Sequence, residues 1–243
     1  MTTTNARVAL ISGASSGIGR ATSELLLQNG CQVIGIGRDF SKYNYHGQDF
    51  TPVEIDLGNI KALPGQLTDL AKQHRNVDVI INCAGQGRFG SLEEFSYTQI
   101  SMLMTLNFTS HAFVCRAFMP QLKMKPHSNI IFIGSEAALE GTQKGSIYCA
   151  SKFALRGFAQ ALRQECSGSG VHVSIINPGM VRTEFFNALD FEPGQDSLNF
   201  IAVADVANAI KMILEARPGT VFDEVNLSPL KKMMRFKGIN RAK

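Results

Sequence analysis

The sequence predicts an α/β fold, a doubly wound parallel sheet with helices on both faces, formed as a single domain. Three observations carry this. Short apolar runs alternate with stretches of helical character, the runs are apolar almost throughout, and a glycine-rich turn directly follows the first of them. Continuous apolarity marks strands buried on both faces. Alternation of strand and helix gives right-handed crossovers, and ligands of such sheets bind beyond the carboxyl ends of the strands.

Taken in order, the strands are expected at residues 8–11, 33–36, 53–55, 77–81, 130–133, 171–176 and 221–225. The helices are expected at 18–28, 60–72, 97–119, 147–165 and 204–215. No repeat, low-complexity tract or linker divides the 243 residues, a length that one α/β unit commonly fills. Apolar residues make up 44% and charged residues 18%, which excludes disordered and fibrous classes. The start of the chain has no basic segment followed by an apolar run, and no stretch is long and apolar enough to span a bilayer, so a cytoplasmic protein without a membrane partner is expected. Cys31, Cys83, Cys115, Cys149 and Cys166 are widely spaced, without a CxxC pair. They read as reduced thiols, and no metal site is expected.

The formal net charge is +4, yet Lys231, Lys232, Arg235, Lys237, Arg241 and Lys243 stand together in an acid-free tail, 228–243. A solvated or subunit-contacting terminus is the expected role of that tail, in preference to a nucleic-acid or membrane surface.

After the first strand comes Ser12-Gly13-Ala14-Ser15-Ser16-Gly17-Ile18-Gly19, and then a helix. A glycine turn in this place lets backbone N–H groups approach a pyrophosphate, while the helix N-terminus supplies partial positive charge. The second strand ends Gly35-Ile36-Gly37-Arg38-Asp39. An acid at this point of a dinucleotide fold binds the ribose 2′-hydroxyl, whereas an arginine accommodates a 2′-phosphate. Gly37 takes the acid's place and Arg38 follows, so NADP(H) is favoured over NAD(H), with Asp39 as the counter-signal.

Tyr148-Cys149-Ala150-Ser151-Lys152 opens the fourth helix, with phenol and ammonium four residues apart on one face. An ammonium nearby favours the phenolate of a group whose ordinary pKa of about 10 makes it a poor proton exchanger. Ser135 lies thirteen residues earlier, just beyond a strand at the same sheet edge as the glycine turn.

With these residues the chain resembles the short-chain dehydrogenase/reductase family, whose Rossmann fold binds its dinucleotide on a TGxxxGIG turn. Ser12 replaces the threonine and keeps a hydroxyl to brace the turn. The resemblance implies that Ser135 hydrogen-bonds the substrate oxygen, that Tyr148 transfers the proton, and that Lys152 binds the nicotinamide ribose and lowers the phenol's pKa. It also implies that Asn107 links the lysine to solvent through water. Gly134 stands where a serine commonly precedes the catalytic one.

By the same resemblance Gly13, Ser15, Ser16, Gly17, Ile18 and Gly19 hold the pyrophosphate, and Asp56-Leu57 lies beside the adenine. Asn82-Cys83-Ala84-Gly85 matches the NNAG turn beside the adenosine ribose, with Cys83 in place of the second asparagine. Asn177-Pro178-Gly179-Met180-Val181-Arg182-Thr183 completes the pattern. Pro178, Gly179, Val181 and Thr183 belong there to the cofactor site, near the carboxamide and phosphates. The implied activity is hydride transfer between NADP(H) and a carbonyl or alcohol. A non-catalytic NADP(H)-binding sensor or scaffold is the alternative.

On the substrate side, 184–200 carries Phe185, Phe186, Leu189, Phe191 and Phe200 and reads as a mobile apolar lid or as an ordinary helix and loop on the core. Gln86, Phe89, Glu136, Leu139 and Gln143 flank the cofactor and catalytic segments. They indicate a mixed pocket, with no arginine pair that calls for a dicarboxylate or phosphate; a small-molecule carbonyl or alcohol is the expected partner, and nucleic acid is not. The helix at 97–119 has apolar residues around much of its circumference, more than one face can bury. A homodimer or homotetramer is therefore expected.

Overall fold

A computed structural model describes residues 6–43 and 47–238. The start of the chain at residues 1–5, and Arg241 and Lys243 of the tail, lie outside the described residues. The chain runs β1 (Val8–Ser12), α1 (Gly17–Gln28), β2 (Gln32–Gly37), β3 (Phe50–Glu54), α2 (Leu63–Gln73), β4 (Val79–Asn82), α3 (Tyr97–Met104) and α4 (Ser110–Leu122). It continues through β5 (Ser128–Ile133), α5 (Ser146–Cys166), β6 (Val171–Pro178), β7 (Phe191–Pro193), α6 (Val203–Leu214), β8 (Glu224–Leu227) and β9 (Met234–Phe236).

Seven strands form one parallel sheet in the order β3-β2-β1-β4-β5-β6-β8. Successive residues of a strand face opposite sides. Thus Ala9 and Ile11 enter one core with α1 and α6, while Val8 and Leu10 enter the other with α2, α4 and α5. Burial on both faces explains why the sequence shows apolar runs without alternation. Connections leave β1 and β4 toward opposite halves of the sheet, so a crevice opens at their carboxyl ends.

Several boundaries differ from expectation for identifiable reasons. α2 starts at Leu63, three residues late, because Pro64 is tolerated only in a helix's first turn. β8 begins at Glu224, not at residue 221, since its register with β6 pairs Glu224 with Ile175 and Leu227 with Pro178. The single helix expected at 97–119 is interrupted by a π turn at Thr105–Thr109 and then runs past Pro120 to Leu122. A π turn holds one extra residue per turn and shifts the faces of the helix beyond it. Tyr97 and Met102 remain exposed, while Leu103, Val114, Phe118 and Leu122 are buried.

The segment 184–200 and the basic tail pack together. The tail folds back so that β9 pairs antiparallel with β7, matching Phe191 with Phe236, Glu192 with Arg235 and Pro193 with Met234. The segment 184–200 is no helix: it consists of 3₁₀ turns at Glu184–Phe186 and Ser197–Asn199 on either side of β7. Among the described residues no helix is long and apolar enough to cross a membrane.

The first turn depends on glycine at fixed points. Gly13 and Gly17 adopt φ of +69° and +52°, the left-handed region, and a Cβ on Gly13 would lie 3.0 Å from Ala84 Cα. At Gly19 a Cβ would collide with the Gly13 carbonyl oxygen and lie 2.7 Å from its carbon. Both are backbone atoms, so no rotamer change relieves the clash. Gly19→Ala is expected to destabilise the fold by about 1–3 kcal/mol, the usual cost of overpacking. Urea unfolding followed by circular dichroism measures it, and a midpoint equal to the parent's contradicts this packing.

Candidate active site

The crevice floor is braced by Ser12, whose Oγ accepts from Cys83 N at 3.0 Å and from Ala84 N at 3.1 Å. One hydroxyl thereby ties the end of β1 to the loop after β4, as the sequence suggested. Ala14 N donates to Ile36 O at 3.0 Å and fixes the same turn to β2. Ser15 is half-buried and Ser16 exposed, with Ser16 preceding α1 without a side-chain cap bond. Ile18 packs on the core shared by α1 and α6.

The residues expected to meet a cofactor thus lie along one sheet edge. Arg38 is exposed just past β2, and Asp39 is committed to a turn, its Oδ1 accepting from Ser41 N at 2.7 Å, which holds its carboxyl below the usual range. Asp56 Oδ1 accepts from Gly58 N at 2.9 Å, and Leu57 is buried beside it. Thr183 Cγ2 stands 3.4 Å from where a Gly17 Cβ would be, so the segment after β6 meets the glycine turn. Thr183 Oγ1 accepts from Phe185 N at 3.2 Å, Val181 bridges to Ile201, and Gly179 N donates to Leu227 O at 2.8 Å. A dinucleotide fits this surface: the glycine cradle has no room for side chains, a helix N-terminus faces it, and a cation stands at the end of β2.

Beneath the loop after β4 lies a buried polar group that the sequence reading missed. His111 is fully buried in α4, its Nε2 2.9 Å from Ala84 O and its Nδ1 3.2 Å from the Asn82 carboxamide. Burial, with the Lys152 charge second, pushes its pKa down to about 3. A neutral imidazole has one N–H, and Ala84 O can only accept, so Nε2 carries the proton. Nδ1 then accepts from the carboxamide NH2 of Asn82, whose oxygen is left for the Cys115 thiol on the other side; that assignment exchanges the two ends of the carboxamide. The available sequence signal was spacing: His111 follows Asn107 by four residues on a helix.

Asn107 sits in the π turn with every polar group of its side chain engaged. Oδ1 accepts from Gln86 N, and Nδ2 donates to Gln86 O and to Ser151 Oγ, each at 3.0 Å. Ser151 passes the connection on by donating to Tyr148 O at 2.7 Å. The carboxamide therefore locks the loop after β4 to the first turn of α5. A Cβ on Gly85 would lie 3.3 Å from the same Oδ1 and 3.7 Å from Lys152 Nζ.

Ser135, Tyr148 and Lys152 converge at the carboxyl end of β5. Ser135 caps a 3₁₀ turn, accepting from Ala137 N at 3.2 Å, and hydrogen-bonds the Tyr148 phenol. Tyr148 is only 7% exposed, and burial pushes its pKa up to about 12, with the Ser135 bond opposing. Lys152 Nζ donates to Ile133 O at 3.0 Å and lies 5.9 Å from the centre of the phenol ring. Burial pulls its pKa down to about 8. Protein groups alone thus hold the phenol as an acid, and burial outweighs the lowering expected from the lysine. A Cβ on Gly134 would collide with Asn177 Oδ1, so a larger residue there requires that carboxamide to shift.

Around the phenol stand rings. Phe89 is 5.1 Å and Phe185 6.1 Å from Tyr148 between centroids, and Phe185 lies where a Gly87 Cβ would be. Phe186 and Phe191 extend the cluster. Of the other expected substrate residues, Gln86 meets the site through its backbone, Gln143 stands exposed in the loop before α5, and Glu136 pairs with Lys232 of the tail at 2.8 Å. Leu139 is partly exposed. Among the described residues no cluster of three or more metal-ligating side chains occurs.

Residues 7–193 match the family model described as short chain dehydrogenase, and the chain belongs to that family. It is 27% identical over 229 residues to an oxidoreductase of Staphylococcus epidermidis, covering 92% of this chain and 97% of the relative. It is 30% identical over 195 residues to the NADP-dependent 3-hydroxy acid dehydrogenase of Schizosaccharomyces pombe, covering 76% and 75%. Among solved structures, a short chain dehydrogenase from Burkholderia cenocepacia in complex with NADP superposes with a TM-score of 0.79 at 28% identity, over 91% of this chain and 88% of that one.

The neutral His111 sets a pH dependence of stability. Its native pKa of about 3 lies below the ordinary 6.5, so the unfolded chain takes up a proton between those values while the native state does not. Stability therefore falls as pH drops through that window, by at most about 1.4 kcal/mol per pH unit from this group. His111→Gln should flatten the acid limb of a urea-midpoint profile between pH 6.5 and 4. An unchanged slope contradicts the assignment.

Proposed function

We propose that this protein is an NADP(H)-dependent oxidoreductase acting between a carbonyl and an alcohol through Ser135, Tyr148 and Lys152. The observation that carries the reading is the Tyr148 phenol, buried, hydrogen-bonded to Ser135 and one helical turn from Lys152. Membership of an oxidoreductase family supports it. When bound, the dinucleotide supplies or accepts the hydride.

Gly13, Ser15, Ser16, Gly17, Ile18 and Gly19 would hold the pyrophosphate, and Asp56, Leu57, Asn82, Ala84 and Gly85 the adenosine. Pro178, Gly179, Val181 and Thr183 would border the carboxamide and phosphates. Arg38 favours the 2′-phosphate, because the competing acid, Asp39, is already committed to its turn. The NADP-bound neighbour and the NADP-dependent relative agree with that preference.

Ser135 and Tyr148 bind the substrate oxygen. As that oxygen gains negative charge during reduction, the Tyr148 phenol donates its proton to it, and in the reverse direction it must accept one. Lys152 lies within reach to bias the phenol, and its depressed pKa lets it exchange protons near neutrality. Asn107 acts as a positioning residue that fixes Gln86 and the first turn of α5. Self-association through the outer side of α3, α4 and α5 is part of the proposal, supported by exposed Met102 and Phe153 and by a largely apolar groove along Cys115, Met119, Phe158 and Leu162, edged by Arg116 and Lys123.

Two sets of variants test this reading. Tyr148→Phe should lower turnover by about 10²–10⁴-fold while NADPH binding stays nearly unchanged, whereas Lys152→Met should lower both. Full activity in Tyr148→Phe would overturn the assignment. In equilibrium titrations the parent should prefer NADPH to NADH, and Arg38→Ala should narrow the preference by roughly ten- to a hundredfold, the size of a charge-assisted hydrogen bond. Equal affinities in the parent would remove Arg38 from the cofactor site.

A further inference from the structure

We infer that the substrate-side cleft takes an uncharged, apolar carbonyl compound, preferably aromatic, and discriminates against one carrying a carboxylate. This inference rests on the carbonyl–alcohol reading above. The phenol that would meet the substrate oxygen is walled by Phe89 and Phe185, at 5.1 and 6.1 Å. Phe191 lies 5.1 Å from Phe89, and Phe186 lies 5.3 Å from Phe185 and 5.9 Å from Phe191, so the rings form a continuous wall. A group that reaches Tyr148 must displace these rings or slide between them, and in either case exchanges water for aromatic surface. Apolar groups gain from that exchange, and flat rings gain further from stacking.

Charge at the rim points the same way. Four cations at the rim, Arg182 and three of the tail, are already engaged. Arg182 donates to Gly194 O at 2.7 Å and stacks on Phe200 at 3.8 Å. Lys232 pairs with Glu136, Arg235 with Glu192, and Lys237 donates to the carbonyl oxygens of Phe186 and Asn187. The nearest acid, Glu136, is close enough to raise the Tyr148 pKa and would repel a second anion there. A carboxylate would therefore lose its hydration against rings while these four cations stay committed to other partners. Lys232 is the specificity residue in this account: held by Glu136 it is silent, and released it becomes an anion site.

The test compares a neutral and a charged form of one skeleton: the para-carboxylate of benzylacetone and its methyl ester. Saturation-transfer NMR and calorimetry with the NADP+-loaded protein read binding directly, and NADPH consumption reads turnover. The ester should bind, and be reduced with a kcat/KM, roughly tenfold or more above the carboxylate. Glu136→Gln should free Lys232 and raise affinity for the carboxylate severalfold, while Phe185→Ala should weaken the ester without altering NADPH binding. A carboxylate that binds as tightly as the ester, or binding of neither, overturns the inference. If the ester binds preferentially but no carbonyl is reduced, the cleft assignment stands and the oxidoreductase reading fails. If both are reduced and the acid is preferred, the reverse holds.

Discussion

A buried carboxamide either finds hydrogen-bond partners for its groups or costs about 1–3 kcal/mol for each left unpaired. Asn107 finds them on two separate segments, the backbone of Gln86 and the hydroxyl of Ser151. The loop after β4 and the start of α5 are far apart in sequence and are held in one geometry by this side chain. Its position on the helix is itself set by the π turn, which places the extra residue where the carboxamide must point inward. Tyr148 and Lys152 occupy the helical turn that Ser151 anchors, so their placement follows from the satisfaction of one amide.

Burial then decides which groups carry charge. The same dry environment raises the phenol, lowers the lysine and keeps His111 neutral. In each case desolvation is the largest cause and the neighbouring charges are secondary. An acid kept protonated beside an amine that ionises near neutrality can exchange protons with little reorganisation, because the surrounding dipoles are already fixed. The neutral His111 contributes differently, bridging Ala84 and Asn82 beneath the loop without bringing a charge under it.

Residues 184–200 and the tail are joined by backbone pairing. β7 and β9 are only three residues each, too short to be stable as an isolated pair. They are reinforced by Gly194 N to Met233 O at 2.9 Å, Lys231 N to Leu198 O at 2.9 Å and Lys237 N to Asp190 O at 2.8 Å. These bonds hold Phe186 and Phe191 over the site. The exposed ion pairs along the seam add little energy but fix register and occupy the cations.

The sequence by itself determined the strand and helix alternation, the crevice edge and most of the residues gathered there, because strand burial, glycine conformation and helical spacing are local properties. Ser12, Gly13, Gly17, Arg38, Ser135, Tyr148 and Lys152 were legible for that reason. The π turn at Asn107, the partners of His111 and the pairing of the basic tail with the lid were not. Each depends on which distant groups satisfy one another's hydrogen bonds and charges once the chain is packed. The cation-rich tail reads from composition as a solvated or subunit-contacting terminus, and only tertiary structure supplied Glu136, Glu192 and the carbonyl oxygens of Phe186 and Asn187 as partners of Lys232, Arg235 and Lys237. The protonation of Tyr148 was decided in the same way: spacing predicts a lysine nearby, but the depth of burial, which sets the larger effect, is a property of the folded chain.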